Sequence, residues 1–370
     1  MLSFAVLSFD EMSTTYALIM AGGIGSRFWP MSTPRHPKQF LDILGTGRTL
    51  LQQTYDRMSR VTSPENIMVA THSQYKDLVM DQLPDLPEGN ILLEPARRNT
   101  APCIAYASIK IHKMKPGSSI VVTPADHLIT EEDDFAKQVE VAIKHTMENN
   151  HLITLGVKPL RPETGYGYIQ FKDGDENEPI KKVKTFTEKP DLDLAREFIE
   201  SGEFLWNSGI FIWNTNAILN AFEKHQPDLY QNLIEGWDLY NTDGEQSFID
   251  KSYPSSDNIS VDYGILERSK SVYVLPVSFG WSDLGTWGSV YQEMKKDDHE
   301  NAIQSKRILV NESLNNIISL DKGKTAIISG LDGYIVIAEG NRLLICPREE
   351  EQQIKSFVND LKISLGEEDI

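Results

Sequence analysis

The chain has 370 residues, of which 40% are hydrophobic and 24% are charged, and its formal net charge is -18 at pH 7. This length predicts two or three domains, and the composition is typical of a globular protein with a large core. The acidic balance argues against nucleic-acid binding, because phosphate backbones attract basic surfaces. It is compatible with a small phosphorylated ligand, which needs only a local cluster of cations.

The cysteines and the N-terminus indicate a cellular compartment. Cys103 and Cys346 lie far apart in apolar segments, which predicts two buried, reduced thiols and a cytoplasmic protein. No run approaches the roughly 20 apolar residues of a membrane span. The first residues lack the cationic start and the cleavage site of a signal peptide. Residues 1–14 are predicted to be a disordered extension, with Met12 as an alternative start.

Apolar runs alternate with helical patterns over the first 157 residues. Thr49 and Gln52 have the spacing of a capping box at the start of one helix. The alternation predicts a Rossmann-like α/β fold, a mostly parallel sheet flanked by helices. Ligands bind at the carboxyl ends of the strands in such sheets. The predicted strands are YALIMAG, NIMVAT, NILLEP, SSIVVTPAD and HLITLGV.

The pattern of predicted helices and strands changes near residue 300. Before that point strands and helices are mixed, and the helix TNAILNAFEKH has Thr215 as its predicted N-cap. Beyond it, short β runs recur at intervals of roughly 8–12 residues, and a helical pattern ends the chain. We therefore predict an α/β domain over residues 15–300 and a small, β-helix-like β-rich domain with a terminal helix over residues 301–370.

The loop after the first predicted strand, AGGIGSRFWP, has the composition of a phosphate site. Gly22 and Gly25 let backbone amides approach phosphate oxygens. Arg27 offers a forked donor and Lys38 a compact charge. A dinucleotide-binding fingerprint would need a third glycine where Phe28 stands, and no Gly-Lys-Ser/Thr of a P-loop follows.

Two aspartates are single candidates for a metal ligand, and their spacing in the sequence does not pair them. Asp126 comes directly after the strand in VVTPADH, and Asp283 lies in FGWSDLGTW. A carboxylate at the end of a strand can ligate Mg²⁺, although a lone Asp there is usually a turn residue. His127 is more typical of a supporting or structural histidine than of a ligand.

Several other stretches carry polar groups with two interpretations each. In LLEPARRNTAPC, polar groups from Glu94 onward can contact a ligand, and the alternative is a strand-to-helix connection capped by Thr100. The stretches RPETGYGYIQ, TFTEKPD, FLWNSGIFIW and SVDYGILE suit a sugar. Their alternatives are a hairpin bulge around Tyr166, a surface ion pair between Glu188 and Lys189, core packing and a helix cap.

The segment MAGGIGSRFWPMSTPRHPKQF resembles the opening motif of the sugar-1-phosphate nucleotidylyltransferases. Its Trp after RF and its PKQF resemble the mannose-1-phosphate guanylyltransferases within that family. The later stretches match the family pattern in order, so the resemblance covers about residues 16–300. The sequence differs from the family pattern at His36, in the loop before Lys38, and at Thr123, which precedes Pro124.

The resemblance implies a nucleotide-diphospho-sugar transferase fold and the reaction of GTP with mannose 1-phosphate to give GDP-mannose and pyrophosphate. It implies a divalent cation, Mg²⁺, on Asp126 and Asp283, and catalytic roles for Arg27, Lys38 and Asp126. The implied nucleotide-binding residues are Ala21, Gly22, Gly23, Gly25, Ser26, Arg27, Lys38, Glu94, Asn99, Thr100 and Ala101. The implied sugar-binding residues are Gly165, Tyr166, Gly167, Glu188, Lys189, Asn207, Gly209 and Asp262.

Three other functions compete with this one. Another nucleotidylyltransferase, using dTTP or UTP with a glucose-type sugar, keeps the same chemistry and stays open. A non-catalytic sugar-nucleotide sensor predicts loss of Arg27, Lys38, Asp126 or Asp283, and all four are present. An NAD(P) dehydrogenase requires the glycine that Phe28 replaces.

The C-terminal region bears on two further expectations. Many members of the family continue into a phosphomannose isomerase domain. About 70 residues follow residue 300, too few for that barrel and its metal ligands, so we expect no isomerase activity. The β-rich region and the tail offer surface for a homodimer.

Overall fold

The computed structural model describes residues 14–172 and 178–366. The predicted extension over residues 1–14 lies outside the described residues, except for Thr14. The strands are β1 (Thr15–Met20), β2 (Ile67–His72), β3 (Ile91–Glu94), β4 (Ser119–Pro124), β5 (Leu128–Ile129), β6 (Leu152–Val157), β7 (Gly167–Phe171), β8 (Lys181–Glu188), β9 (Phe204–Asn214), β10 (Val272–Val277), β11 (Trp281–Ser282), β12 (Ala302–Gln304), β13 (Ile308–Asn311), β14 (Ile317–Leu320), β15 (Ala326–Ser329), β16 (Tyr334–Glu339) and β17 (Arg342–Pro347).

The helices are of three kinds. The α-helices are α1 (Leu50–Met58), α2 (Lys76–Gln82), α3 (Thr100–Met114), α4 (Glu132–Glu148), α5 (Leu192–Ser201), α6 (Thr215–His225), α7 (Pro227–Ile234), α8 (Glu245–Ser252), α9 (Trp287–Glu293) and α10 (Ile354–Leu365). Short 3₁₀ helices cover Ser26–Phe28, Lys38–Phe40, Pro64–Asn66, Ser73–Tyr75, Glu88–Asn90, Tyr253–Ser255 and Arg348–Gln353. One π-helix covers Asp262–Leu266.

Interleaved stretches of chain form two compact units. Among the described residues, the first unit comprises 14–22, 54–125 and 129–281, and the second comprises 23–53, 126–128 and 282–366. The predicted boundary at residue 300 falls inside the second unit. The division into domains of 15–300 and 301–370 stays a prediction.

The first unit is built on a nine-stranded sheet in the order β3-β2-β1-β4-β9-β6-β10-β8-β7. Strands β3, β2, β1 and β4 pair in parallel, and so do β6 and β10. Strand β9 runs antiparallel to β4 and β6 and joins the two parallel groups. All five strands predicted in the first 157 residues lie in this sheet, which confirms the predicted α/β architecture.

The central strands of this sheet are buried on both faces. Ala17, Leu18 and Ile19 of β1 have no exposed surface, as is typical of parallel strands covered by helices. Cys103 in α3 and Cys346 in β17 are both free and buried, as predicted. Of the helices in the described part of the chain, none combines the length and the apolarity that a membrane span requires.

Two helix caps test the local predictions. The capping box at the start of α1 is confirmed, because Thr49 and Gln52 exchange backbone-to-side-chain hydrogen bonds of 3.1 and 3.3 Å. The predicted cap of α6 is wrong by one residue. Asn214 caps that helix, since its Oδ1 accepts from the amide of Ala217 at 2.8 Å. The hydroxyl of Thr215 instead accepts from a glycine amide outside the helix.

In the second unit, residues 302–339 form a short coil of parallel strands, and β17 pairs with β16 in the antiparallel sense. β12 pairs with β14 and β14 with β16, while β13 pairs with β15. Alternate strands therefore stack in two separate sheets, as in a parallel β-helix. Ile317 and Ile335 point to a buried cluster that also contains Ile354 and Val358 of α10. The terminal helix thus packs as part of this unit.

The cap of α6 gives a stability prediction. Asn214→Ala removes the acceptor for Ala217 and the Nδ2 donor to the carbonyl of Thr146. We expect the free energy of unfolding to fall by about 1–3 kcal/mol, measured by urea denaturation. Asn216→Ala, at an exposed position of the same helix, is the matched control and should change it by less than about 0.5 kcal/mol. Equal effects of the two substitutions would contradict the assignment of the cap.

Candidate functional site

The glycine-rich loop after β1 turns its carbonyl groups into the protein. Nε2 of Gln39 donates to the carbonyl oxygen of Gly23 at 3.0 Å, and the hydroxyl of Ser32 donates to that of Ile24 at 2.6 Å. The carbonyl of Gly25 accepts from the amide three residues later. The amides of Gly23, Ile24 and Gly25 have no acceptor among the described residues. Consecutive unbonded amides of this kind form a concave anion site.

Gly25 is needed for its backbone conformation and for the space beside it. Its φ of +68° lies in the left-handed region that favours glycine. A Cβ built on Gly25 would lie 2.4 Å from Cβ of Lys38. The missing side chain therefore lets the lysine cross directly behind the loop.

Lys38 brings together three segments that are distant in the sequence. Its side chain is only 4% exposed, and its Nζ lies 3.0 Å from Oδ2 of Asp126. The same ammonium donates to the backbone carbonyl of Asp283 at 2.8 Å. Both predicted metal-site aspartates are therefore placed at one lysine.

Asp126 is held in its ionised form. Partial burial raises the pKa of its carboxyl, but the charges of Lys38 and His127 and the hydrogen bond from Lys38 more than compensate. The pKa consequently lies below its ordinary value. Nε2 of His127 lies 3.9 Å from Oδ1 of Asp126, which suits the supporting role predicted for this histidine.

These groups line a cavity of about 280 Å³ in the second unit. Arg27 is exposed at its edge and makes no ion pair with any residue in the described ranges. The cavity therefore combines the unbonded amide of Gly25, an unpaired guanidinium and two carboxylates. The lining residues are Gly25, Ser26, Arg27, Phe28, Lys38, Asp126, His127, Asp283, Gly285 and Lys355.

The carboxylates of this cavity fit a hard divalent cation. Asp126 and Asp283 supply oxygen donors, and the lowered pKa of Asp126 keeps one of them charged. Over residues 14–172 and 178–366, no three His, Cys, Asp or Glu side chains group as a metal site. A cation here would complete its coordination with phosphate or water oxygens, as Mg²⁺ commonly does.

In the first unit, Glu94 at the end of β3 is a buried carboxylate. The hydroxyl of Tyr253 donates to its Oε1. Burial raises the pKa of Glu94 to about 7, although the Tyr253 hydrogen bond and the charge of Arg97 act in the opposite direction. A Cβ at Gly22 would lie 3.4 Å from Oε2 of Glu94. The second carboxylate oxygen therefore faces the start of the glycine loop.

The junction before α3 is strained and tightly braced. Asn99 has a φ of +64° and caps α3, with Oδ1 accepting from the amide of Thr100 at 2.9 Å. Thr100 is therefore the first helical residue and not the cap. Its hydroxyl accepts from the amide of Val261, and the amide of Ala101 donates to the carbonyl of Ile259. Nucleotide contacts by Thr100 and Ala101 stay predictions.

Three nearby residues have structural partners. The amide of Ala21 donates to the carbonyl oxygen of Ala70 in the neighbouring strand β2. Arg97 donates to the hydroxyl of Tyr75 at 2.8 Å, and Nε of Arg98 donates to a backbone carbonyl at 3.0 Å. These contacts account for the two arginines, which the helix-cap interpretation of the sequence leaves without a role.

The residues predicted to bind the sugar lie close together in the first unit. Tyr166 packs edge-on against Trp206 and Trp281, with ring centroids 5.1 and 5.2 Å apart. Gly167 lies opposite Glu188 in the β7–β8 pair. A Cβ at this glycine would lie 2.5 Å from Oε2 of Glu188, so the carboxylate occupies the space that a side chain here would take.

Two acids and their partners complete this group. Nδ2 of Asn207 donates to Oδ1 of Asp262 at 2.7 Å, and its own Oδ1 accepts from the amide of Gly209. Nζ of Lys189 lies 2.7 Å from Oε1 of Glu188. Burial raises the pKa of Asp262 to about 6; the hydrogen bond from Asn207 opposes that rise, and the charge of Glu188 adds to it. Gly165 adjoins Tyr166 in the loop before β7.

Sequence comparison assigns the family. A sequence model of the nucleotidyl transferase family matches residues 16–300. This chain belongs to that family. Members act on a nucleoside triphosphate and generally use a divalent cation, in keeping with the amide-lined cavity and its carboxylates.

Three relatives of this nucleotidyl transferase illustrate its similarities. The alginate biosynthesis protein AlgA of Pseudomonas aeruginosa is 33% identical over 93% of this chain and 71% of its own length. A mannose-1-phosphate guanylyltransferase of Escherichia coli is 33% identical over 94% of this chain and 75% of its own length. A crystal structure described as mannose-1-phosphate geranyltransferase from Thermus thermophilus has a TM-score of 0.84 at 27% identity, covering 94% of this chain and 99% of that one.

Two residues of this nucleotidyl transferase are not apparent from its sequence motifs. Tyr253 reaches the buried Glu94 from a 3₁₀ helix 159 positions away. Lys355, the second residue of α10, lines the cavity of the glycine loop. The helical pattern at the end of the chain predicts α10, but no local signal indicates what that helix contacts.

The glycine loop gives a test that is independent of the base and the sugar. Gly25→Ala should weaken binding of nucleoside triphosphates at least about tenfold by calorimetry, because a strained φ and the overlap with Lys38 displace the amides. Gly89→Ala is the control, since a Cβ there meets nothing within 4 Å. Unchanged affinity in Gly25→Ala would refute the assignment of the loop to phosphate binding.

Proposed function

We propose that this nucleotidyltransferase transfers GMP from GTP to mannose 1-phosphate, releasing pyrophosphate and forming GDP-mannose. The observation that carries the proposal is the loop of unbonded amides beside Lys38, which joins Asp126 to Asp283 in one cavity. The relatives named for this activity support the choice of substrates.

The chemistry requires no protein nucleophile. An oxygen of mannose 1-phosphate is already anionic at neutral pH and attacks the α-phosphorus of GTP. The new P–O bond forms as the bond to the β-phosphate oxygen breaks, and pyrophosphate leaves with that electron pair. The main barrier is repulsion between two polyanions, so the protein contributes positioning and charge neutralisation.

Each group of the cavity then has a task. The amides of Gly23 and Gly25 cradle the β- and γ-phosphates, together with Gly22 and Ser26. Arg27 is exposed and unpaired within the described residues, so it can turn its fork onto the leaving pyrophosphate. The buried ammonium of Lys38 faces the α-phosphate while it holds the two aspartates in place.

Asp126 and Asp283 are the residues that would hold Mg²⁺. When bound, such an ion neutralises phosphate charge and orients both substrates. Lys38 keeps Asp126 ionised, as the lowered pKa of that carboxyl indicates. It therefore prepares the carboxylate to accept a cation.

Glu94 suits the guanine base because its buried carboxylate has one oxygen directed away from Tyr253. Guanine presents N1–H and N2–H donors side by side, and an ionised carboxylate accepts both. Adenine has no such pair of donors on this edge, so Glu94 favours GTP over ATP. The strained backbone of Asn99 adds further polar groups to this region.

The group around Tyr166 suits the sugar phosphate. Glu188 and Asp262 accept from sugar hydroxyls, and Asn207 fixes the orientation of Asp262. Lys189 pairs with Glu188 in the structure, and its ammonium can serve the sugar phosphate. Gly165, Gly167 and Gly209 keep the backbone close to the ring.

A competing function keeps the phosphate and metal chemistry but changes the substrates, using dTTP or UTP with a glucose-type sugar. A non-catalytic sensor is disfavoured by the arrangement of Lys38, Asp126 and Asp283, since such a protein has no need of a metal site. The free, buried cysteines support a cytoplasmic location. A homodimer stays a prediction.

The direct test is pyrophosphate release with mannose 1-phosphate, Mg²⁺ and each of GTP, dTTP, UTP and ATP. We expect release to be fastest with GTP and to be abolished by EDTA. Arg27→Ala and Asp126→Ala should each lower the rate at least about 100-fold. Arg35→Ala, in the same segment but outside the cavity lining, is the matched control. Faster release with another nucleotide would overturn the base assignment, and no release with any would favour the sensor.

Glu94 gives a pH dependence whose sign follows from its pKa of about 7. Below that pH the carboxyl is protonated and accepts from guanine less well. Affinity for GDP-mannose, whose phosphates do not titrate in this range, should fall about tenfold for each pH unit below 7. Glu94→Gln should remove this step.

Asp262→Asn serves as the control for that titration. Asp262, with a pKa of about 6, can add a second step at lower pH, and its substitution should leave the step near pH 7 in place. A step near pH 7 that persists in Glu94→Gln would contradict the role of Glu94.

A further inference from the structure

The terminal helix α10 packs directly against the glycine loop within the second unit. Phe28, the last residue of the loop's 3₁₀ helix, shares a buried cluster with Ile354 and Val358 of α10. Its ring also contacts Trp287 at the start of α9, with centroids 5.1 Å apart. The position of the phosphate loop therefore depends on the last helix of the chain.

The segment before α10 makes a second contact beside the cavity. A carboxylate oxygen of Glu351 accepts from the amide of Gly288 at 2.6 Å, in the first turn of α9. This turn begins four residues after Asp283. The terminal segment thus braces both the phosphate loop and the loop that carries the second aspartate.

Lys355 extends from this braced helix into the cavity lining. It is exposed, and it makes no ion pair with any residue of the described ranges. Lys38, by contrast, is buried and already paired with Asp126. The cations of the cavity that remain unneutralised by protein carboxylates, over the residues that the structure describes, are therefore Arg27 and Lys355.

We propose that Lys355 is a pyrophosphate-binding residue that acts with Arg27 on the β- and γ-phosphates. The inference rests on the proposed function. When the bond between the α-phosphorus and the bridging oxygen breaks, the negative charge of the leaving group grows, and two unpaired cations beside the loop amides stabilise it. Because the chain has a net charge of -18, the positive charge that stabilises the leaving group must come from residues beside it. The terminal helix thereby becomes part of the catalytic site.

The test compares Lys355→Met with Lys362→Met, a substitution on the same helix outside the cavity lining, and with Lys355→Arg. The enzyme is assayed in the reverse direction, in which pyrophosphate reacts with GDP-mannose to give GTP and mannose 1-phosphate. Lys355→Met should raise KM for pyrophosphate at least about tenfold. This factor corresponds to the smallest free energy that is typical of a hydrogen bond to a charged group. KM for GDP-mannose should change less than about twofold, because that substrate does not contain the β- and γ-phosphates that Lys355 is proposed to bind. Lys355→Arg should restore most of the affinity, and Lys362→Met should match the wild type.

Calorimetric binding of magnesium pyrophosphate to the same variants separates this inference from the proposed function. Weaker pyrophosphate binding in Lys355→Met alone supports the assignment even if GTP and mannose 1-phosphate prove to be the wrong substrates. Unchanged pyrophosphate affinity would overturn it. Equal losses for pyrophosphate and GDP-mannose would also overturn it, because they would indicate that Lys355 only maintains the shape of the cavity.

Discussion

The ammonium of Lys38 lies 3.0 Å from Oδ2 of Asp126 and 2.8 Å from the carbonyl oxygen of Asp283, almost fully shielded from water. Without this contact, the carboxylate of Asp126 would lose the buried cation that favours its ionised form, and the backbone at Asp283 would lose its anchor. Burying a lysine is costly unless it is paired and hydrogen-bonded, and both conditions are met here. The glycine at position 25 follows from the same contact, because any side chain there would overlap the lysine.

The electrostatics of the cavity explain how a strongly acidic chain can handle polyanions. The net charge of -18 repels nucleotides at long range, but salt screens exposed charges beyond roughly 8–10 Å. Within the cavity, unbonded amides, Arg27 and Lys355 present the opposite sign at short range. The acidic groups at the site, Asp126 and Asp283, are those that suit a cation shared with the phosphates.

The sequence predicts the parts of this molecule that depend on local chemistry. The glycine pattern predicts the loop, because only glycine tolerates its φ and its close packing. Continuous apolar runs, separated by helical patterns, predict the strands of the sheet, because helices bury both faces of that sheet. The cap of α6 is misassigned by one residue, since Asn214 and Thr215 both suit a cap and only the folded chain decides between them.

What the sequence alone leaves open depends on contacts across the chain. Spacing does not pair Asp126 with Asp283, and only the family resemblance joins them. The hydrogen bond from Tyr253 to Glu94 and the place of Lys355 depend on how α8 and α10 pack. The amphipathic pattern of a helix fixes its buried face without naming its neighbour. The interleaving of the two units also depends on contacts between distant parts of the chain. Residues 23–53 belong to the same unit as a region more than 200 positions later.

The central claim is direct transfer to a phosphate oxygen, assisted by charge and without a covalent enzyme intermediate. The stereochemistry at the α-phosphorus tests it most directly. One diastereomer of GTP carrying sulfur on the α-phosphate would be converted with mannose 1-phosphate, and the configuration of the product determined by phosphorus NMR. A single in-line displacement predicts inversion. Retention would require two displacements and a nucleophile on the protein, and it would contradict the account.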